Sequence, residues 1–274
     1  MQNEQRSMSV LSRKVHGLTH LLQFDNRWPL IVARLFSGSN KLLVYRLKGM
    51  SFLVDHAADD ENGTRVALIS DMYRTFLERI KLPKEPVVLD LGANGGGFGL
   101  LLQALGYQVK RIVAVEMNPH TTQRLRFNLE RNLPGEVTVL NCAVCGQPRT
   151  LELQLGSGGS GDSIYGPSVS EGTSRVEVQG RTFDDIANEM LPSQRIDVCK
   201  IDVEGAEHEI FSRPGHERVR SCRYLIMEIH PAEGGVDATD TIIQKLSELG
   251  FKKRPERASS GEDVYFFENQ NPLT

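Results

Sequence analysis

The stretch Val87-Val88-Leu89-Asp90-Leu91-Gly92-Ala93-Asn94-Gly95-Gly96-Gly97-Phe98-Gly99 decides how this chain is read. Val87 to Leu91 is a short apolar, β-branched run, the composition of a buried strand. Gly92 to Gly97 is a glycine-rich turn, where backbone can come close to a ligand. Phe98, Leu101, Leu102 and Leu105 then recur at helical spacing up to Gly106, which predicts a helix over 98–105. Strand, glycine turn and helix open a nucleotide-binding α/β domain. The helix start is expected to offer free N–H groups and a positive dipole end to an anionic group.

The turn argues against two nucleotide classes. Gly92 is followed by Ala93-Asn94, and Gly97 by Phe98-Gly99-Leu100, so the Gly-x-Gly-x-x-Gly spacing of dinucleotide sites is not met. The Gly-Lys-Ser/Thr of a phosphate-cradling loop is also absent. What remains is Asp90, a carboxylate at the strand's end, suited to a cationic ligand or to orienting the loop. S-adenosylmethionine fits that preference: it carries a sulfonium and an ammonium and has no phosphate to cradle.

Working outward, Arg111 to Glu116 reads as a second buried strand ending in an acid, with Asn118 capping the next helix and Pro119 at its first position. Glu116 lies 24 residues after Gly92, where an acid can accept hydrogen bonds from both ribose hydroxyls. Val137 to Leu140 is a third strand. It leads into Asn141-Cys142-Ala143-Val144, placed to flank an adenine ring. Ile196 to Asp202 is a further strand, on which Val198, Lys200 and Asp202 share a face, and a helix is expected from near Gly205. Asp202, Glu204 and Glu207 crowd its end, and the strand Tyr224 to His230 ends in Glu228 and His230. Ile242, Ile243, Leu246 and Leu249 mark a helix stopped by Gly250; Phe251 onward and Asp263 to Phe267 form a closing pair of strands.

Ahead of the core, residues 8–23 place Leu11, Val15, Leu18 and Leu22 on one helical face, and a second helix spans Trp28 to Phe36 until Ser37-Gly38-Ser39-Asn40 breaks it. Leu42 to Tyr45 and Ser51 to Val54 flank Lys48-Gly49 as a β-hairpin, followed by a polar loop, Asp59 to Gly63. Ile69, Met72, Tyr73, Phe76, Leu77 and Ile80 predict one helix ending before Pro83. Thr150 to Leu155 alternates as an edge strand would, and Gly156 to Gly161 is glycine- and serine-rich, within a low-complexity stretch through Gly172 that reads as a loop or as a lid over substrate. Arg175 to Val178 is a short strand, and Thr182-Phe183-Asp184-Asp185 a capping box. Two parts follow: residues 1–65 as a helical and hairpin cap, and residues 66–274 as the main α/β domain.

The totals describe an ordinary globular protein: 274 residues, 39% hydrophobic, 24% charged, net charge −3. That balance, with 7% aromatic residues, gives no sign of a nucleic-acid binder. The distribution is uneven. Residues 1–50 carry eight Lys/Arg against Glu4 and Asp25, so +6, which leaves −9 for the rest. A basic end on an acidic body suits an acidic glycan, a phosphate group or an anionic membrane surface. Cys142 and Cys145 have C-x-x-C spacing, but Cys199 and Cys222 stand alone, so no zinc site is completed. All four are read as reduced and buried, in a cytoplasmic protein. No apolar run reaches membrane-spanning length and no signal-peptide core opens the chain.

Taken together, Val-Leu-Asp-Leu-Gly-Ala-Asn-Gly-Gly-Gly-Phe (88–98), Glu116-Met117-Asn118-Pro119, Lys200-Ile201-Asp202-Val203-Glu204-Gly205-Ala206-Glu207 and Met227-Glu228-Ile229-His230 resemble the FkbM family of S-adenosylmethionine-dependent methyltransferases, over roughly residues 70–268. The resemblance implies a class I, Rossmann-like fold: a seven-stranded, mostly parallel sheet with one antiparallel strand and helices on both faces. It also implies an O-methyltransferase acting on a hydroxyl of a sugar, glycan or related natural product. Asp90, Gly92, Ala93, Asn94 and Gly95 would then hold the methionine part of the cofactor. Glu116 would grip the ribose, Met117 would lie against the adenine, Cys142 and Ala143 would edge it, and Asp202 would face the sulfonium end.

A hydroxyl is a weak nucleophile, so a general base is expected. His230 is the first choice and Asp202 the second, with Glu228 and Glu204 orienting the base or binding hydroxyls. The same four residues could instead hold magnesium or manganese; no metal ligands are assigned. The competing functions are a non-catalytic glycan- or membrane-assembly-binding protein on the same fold, and a nicotinamide-dependent oxidoreductase, which the glycine spacing disfavours. The expected partner is a small-molecule or glycan acceptor, with no nucleic acid and no assigned oligomeric state.

Overall fold

The computed structural model describes residues 20–36, 42–56, 61–154, 175–231, 238–256 and 264–271. Most of the expected helix over 8–23, the breaker at Ser37 to Asn40, Asp59-Asp60, the Gly156 to Gly172 loop and Asp263 lie outside them.

A seven-stranded sheet carries the fold, in the order β11 (Phe251–Lys253), β12 (Val264–Asn269), β10 (Cys222–Glu228), β9 (Ile196–Ile201), β3 (Val87–Leu91), β4 (Arg111–Glu116), β5 (Glu136–Asn141). The strands from β10 to β5 run parallel, whereas β12 is antiparallel to both β10 and β11. Helices follow the parallel strands: α4 (Gly97–Ala104) after β3, α5 (Pro119–Asn132) after β4, α6 (Phe183–Met190) before β9, α7 (Glu207–Ser212) after β9 and α8 (Thr239–Glu248) after β10.

The period of two divides each central strand between two apolar layers. Val88, Ala114, Val198 and Ile226 face one layer, with Phe98, Leu101, Leu125 and Leu129. Leu89, Leu91, Val113, Cys199 and Met227 face the other, with Phe183, Ile186, Ile210 and Leu246. Asp90 therefore lies on the face of Val88. Its register partner on β9 is Lys200, on the face of Val198, so a buried acid and a buried lysine sit side by side.

Three local features differ from the sequence reading. The single helix expected over Ile69 to Ile80 is two short pieces, α2 (Ala67–Ile69) and α3 (Arg74–Leu77). Ser70 is extended at ψ 173°, and its Oγ accepts the Met72 N–H, a local bond that competes with helix continuation. The helix expected from Gly205 begins at Glu207, because Glu204 and Gly205 are left-handed, at φ +53° and +102°. The alternating Thr150 run does form an edge strand, β7 (Arg149–Gln154), but of a second sheet with β8 (Arg175–Arg181) and β6 (Ala143–Val144).

The hairpin of β1 (Leu42–Leu47) and β2 (Met50–Asp55) turns at Lys48 and Gly49, both with positive φ, the geometry of a two-residue hairpin turn. The hairpin lies on α5, where Asn128 and Asn132, one helical turn apart, pair with the open edge of β2. Asn132 bonds both the N–H and the C=O of Ser51 at 2.9 Å, and Asn128 does the same at Leu53. Phe24, Tyr45, Phe52 and Val54 belong to the same apolar layer as Leu101 and Leu125. The dividing line drawn at 65/66 falls inside a continuous helical stretch, Glu61–Val66 running into α2.

Candidate active site

The site is built at the carboxyl ends of β3, β4, β9 and β10, where ligands bind in open α/β sheets. The glycine turn after β3 is pinned from both sides. Gly92 and Ala93 donate to the Val115 carbonyl at 3.0 and 2.9 Å. Asn94 donates to Glu116 Oε2 at 3.0 Å, Gly95 to the Asn94 side chain at 2.6 Å, and Gly96 to the Ala93 carbonyl at 2.9 Å. Every N–H from Gly92 to Gly96 is thus spent within the protein, which leaves no phosphate cradle in the turn. The carbonyls of Gly63 and Thr64 pack against the start of α4, 2.5 and 2.6 Å from where a Gly97 Cβ would be. On the other side, Gly92 at φ +74° faces the Asp202 carbonyl so closely that a Cβ would come within 1.7 Å of its oxygen.

Lys200 ties turn and acids together. Its Nζ donates to the Gly92 carbonyl at 2.8 Å and stands 3.1 Å from Asp202 Oδ2 and 3.6 Å from Asp90 Oδ1. Burial works against its charge, but Asp202 and Asp90 outweigh that and hold it firmly cationic. Asp90 is wholly buried, and neither of its oxygens has a hydrogen-bond partner among the described residues. Burial pushes its carboxyl up from 3.8 to about 6; the charge of Lys200 offsets part of this and that of Asp202 adds to it. An ionised acid short of partners, at the mouth of a glycine turn without a phosphate cradle, fits the cationic methionine end of S-adenosylmethionine.

Glu116, nearly buried, accepts from Asn94 and, at 2.8 Å, from the N–H of Asn118. A carboxylate accepts hydrogen bonds, the contact that ribose hydroxyls need. Met117 packs beside Ala143 and Val178, while Cys142 is buried in an apolar layer. Burial pushes the Cys142 thiol up to about 11, and all four cysteines are free and buried.

His230 lies among acids. Its Nδ1 is 3.3 Å from Glu207 Oε1; its Nε2 is 3.4 Å from Glu204 Oε2 and 3.6 Å from Glu228 Oε1. Burial pulls its pKa down, but the hydrogen bond and charge of Glu207, with the charges of Glu204 and Asp202, raise it to about 10. The expected neutral base is therefore an imidazolium, which has no lone pair to accept a proton at pH 7. Glu207, fully buried, accepts from the Val203 and Gly205 N–H groups at 3.0 and 2.9 Å and holds the left-handed turn that carries Glu204. Glu204 itself is raised by burial and by Asp202 to about 7, with His230 pulling the other way. One oxygen each of Asp202 and Glu228 and one nitrogen of His230 lie within 4.8 Å of one another.

The sequence reading assigned no role to Lys200 or Asn128, and placed Asn141 only beside the adenine. Lys200 was visible as a charge inside the apolar run Ile196 to Ile201. The asparagines carry no periodic signal, because their partners are backbone groups brought close by the fold. Asn141 Nδ2, for example, donates to the carbonyls of Glu116 and Met117 at 2.9 and 2.8 Å.

A parallel sheet closed by an antiparallel strand, with acids and a glycine turn at its carboxyl edge, defines a class I S-adenosylmethionine-dependent methyltransferase. The chain belongs to the FkbM methyltransferase family, whose domain model matches residues 90–253. It is 27% identical over 213 residues to methyltransferase sdnD of Sordaria araneosa, covering 67% of this chain and 80% of that protein. It is 22% identical over 200 residues to methyltransferase 1 of Beauveria bassiana, with the same coverage, 67% and 80%. Among solved structures it aligns with an FkbM methyltransferase of Methylobacillus flagellatus at 15% identity and a TM-score of 0.46, over 94% of this chain and 59% of that one. It also aligns with Aeropyrum pernix fibrillarin, crystallised with S-adenosyl-L-methionine, at 14% identity and a TM-score of 0.43, over 82% and 92% of the two chains.

Proposed function

We propose that the chain is an O-methyltransferase that methylates a hydroxyl of a sugar, glycan or related natural product, with Glu204 as the general base. The observation that carries this reading is Glu204. It is a half-buried carboxylate with a pKa near neutral, next to Asp202 and His230, on the turn that directly follows the strand bonded to the glycine turn.

S-adenosylmethionine supplies, when bound, an electrophilic methyl group on a sulfonium centre. Asp90 offers its buried charge to the cationic end of that molecule, and Glu116 accepts from its ribose. Lys200 keeps Gly92 and Asp202 in register. Attack by an alcohol oxygen releases a proton, and Glu204 takes it at a carboxylate oxygen. A base whose pKa lies close to the working pH is suited to that transfer. The His230 imidazolium lowers the cost of a second charge beside Asp202 while Glu204 is ionised. Asp202 and Glu228, both partly exposed, accept hydrogen bonds from neighbouring hydroxyls of a polyol acceptor, the chemistry that favours a sugar over an isolated alcohol.

The test is transfer of labelled methyl from S-adenosylmethionine to a panel of nucleotide sugars, oligosaccharides and hydroxylated small molecules, with the product linkage read by NMR. A methoxy product supports the reading. Methylation at nitrogen, sulfur or carbon, or no binding of S-adenosylhomocysteine by folded protein, overturns it.

A further inference from the structure

Helix α1 (Arg27–Phe36) carries an exposed apolar face. Trp28, Val32, Leu35 and Phe36 follow the spacing of one helical face, and they are 67%, 54%, 61% and 82% exposed. Leu30 alone on this helix is buried. Seven of the eight large apolar side chains exposed among the described residues lie between Leu22 and Val44, and only Phe127 lies elsewhere. The patch is therefore local, where ordinary apolar exposure would be scattered. The helix is also firmly seated. Asn26 donates to the Val44 carbonyl at 2.8 Å and accepts the Arg46 N–H at 2.9 Å. At the other end, Arg34 bonds His56, which in turn contacts Tyr45.

We infer that this face docks reversibly on an anionic lipid bilayer. The charge distribution selects that occupant. The first 50 residues carry +6 and the remainder −9; among the described residues of those 50, Arg27, Arg34, Arg46 and Lys48 stand against Asp25 alone, so an anionic surface attracts this end of the molecule and repels the acidic body. Tryptophan and phenylalanine beside arginine suit the headgroup boundary, where the ring is half-solvated and the guanidinium meets phosphate. A second copy of the chain is a poorer occupant. A stable dimer needs about 800 Å² from each partner, more than one face of a ten-residue helix provides, and it would bring two basic ends together.

Trp28 is the sole tryptophan of the chain, so intrinsic emission reports on this face alone. Vesicles of mixed phosphatidylcholine and phosphatidylglycerol are added to the full chain, with pure phosphatidylcholine vesicles in parallel. The expected result is a blue shift and co-sedimentation with the anionic vesicles, at least about tenfold stronger than with the neutral ones and reversed by salt. Leu35→Glu removes both effects while S-adenosylhomocysteine binding stays unchanged, which separates docking from folding. Four results overturn the inference: no shift with anionic vesicles, equal binding to neutral ones, a lipid-free shift that grows with protein concentration, or undiminished vesicle binding by Leu35→Glu.

Discussion

Asn128 on α5 donates an amide proton to the carbonyl of Gly95 in the cofactor turn, at 2.8 Å. Its other amide proton and its oxygen bond both backbone groups of Leu53, at 3.0 and 2.7 Å. A single buried side chain thus joins the N-terminal hairpin to the site. Asn128→Ala leaves one buried and two partly buried backbone groups without this partner and is expected to cost about 2–3 kcal/mol in denaturant unfolding, with weaker S-adenosylhomocysteine binding. Asn128→Asp keeps the acceptor but turns a carboxylate oxygen towards two carbonyls at a buried position, so it is expected to cost at least as much as Asn128→Ala.

Asp90 sets a conflict between stability and binding. Its folded pKa of about 6 lies above the ordinary 3.8, so ionising it costs folding free energy. That cost is absent below about 3.8, grows between the two values and is full above about 6. Asp90→Asn should therefore raise stability at pH 7 by roughly 2 kcal/mol, measured by thermal unfolding. The same variant should bind S-adenosylmethionine far more weakly. In the unaltered protein, affinity measured by calorimetry should fall as the pH drops through about 6, because a protonated Asp90 no longer attracts a cation.

Glu204 and His230 predict the pH profile of turnover. The rate should rise as Glu204 loses its proton near pH 7 and decline again as His230 loses its own near 10. Glu204→Gln should lower kcat by about 10²–10⁴ with S-adenosylhomocysteine affinity intact. His230→Ala removes the cation beside Glu204, so the acid limb should move to higher pH. A limb that stays in place in Glu204→Gln assigns the proton to another group. Chelator treatment is expected to leave kcat unchanged; activity lost to a chelator and restored by magnesium or manganese would place a metal among Asp202, Glu228 and His230.

Gly92 and Gly106 make a controlled pair. Both have positive φ, +74° and +90°, but a Cβ at Gly92 meets the Asp202 carbonyl whereas one at Gly106 meets open space. Gly106→Ala should cost only the left-handed conformation, about 1–2 kcal/mol, with cofactor binding unchanged. Gly92→Ala must also push the two strand ends apart. It should cost on the order of 3 kcal/mol or more and lose S-adenosylhomocysteine binding, both readable by differential scanning fluorimetry with and without ligand.

Much of this was legible in the sequence, for local reasons. The apolar runs at Val87, Arg111 and Ile196 mark strands buried on both faces, and Gly92 to Gly97 marks a close turn. Asn118-Pro119 and Thr182 to Asp185 mark helix starts, and the structure shows the corresponding caps. The broken helix at Ser70 was not legible, because one serine hydroxyl outweighed a good apolar stripe. The second sheet was hidden as well, since β6 is two residues long and pairs with a strand more than thirty residues away.

The sequence by itself determined the α/β class, the cofactor turn and the set of acids at the strand ends, because strand period, glycine spacing and capping are properties of neighbouring residues. Only the tertiary structure decided the protonation states of these groups. The charge of His230 depends on Glu204, Glu207 and Asp202, and that of Asp90 on burial and Lys200. These groups are far apart in the chain or on different strands, and protonation follows distance and desolvation in space.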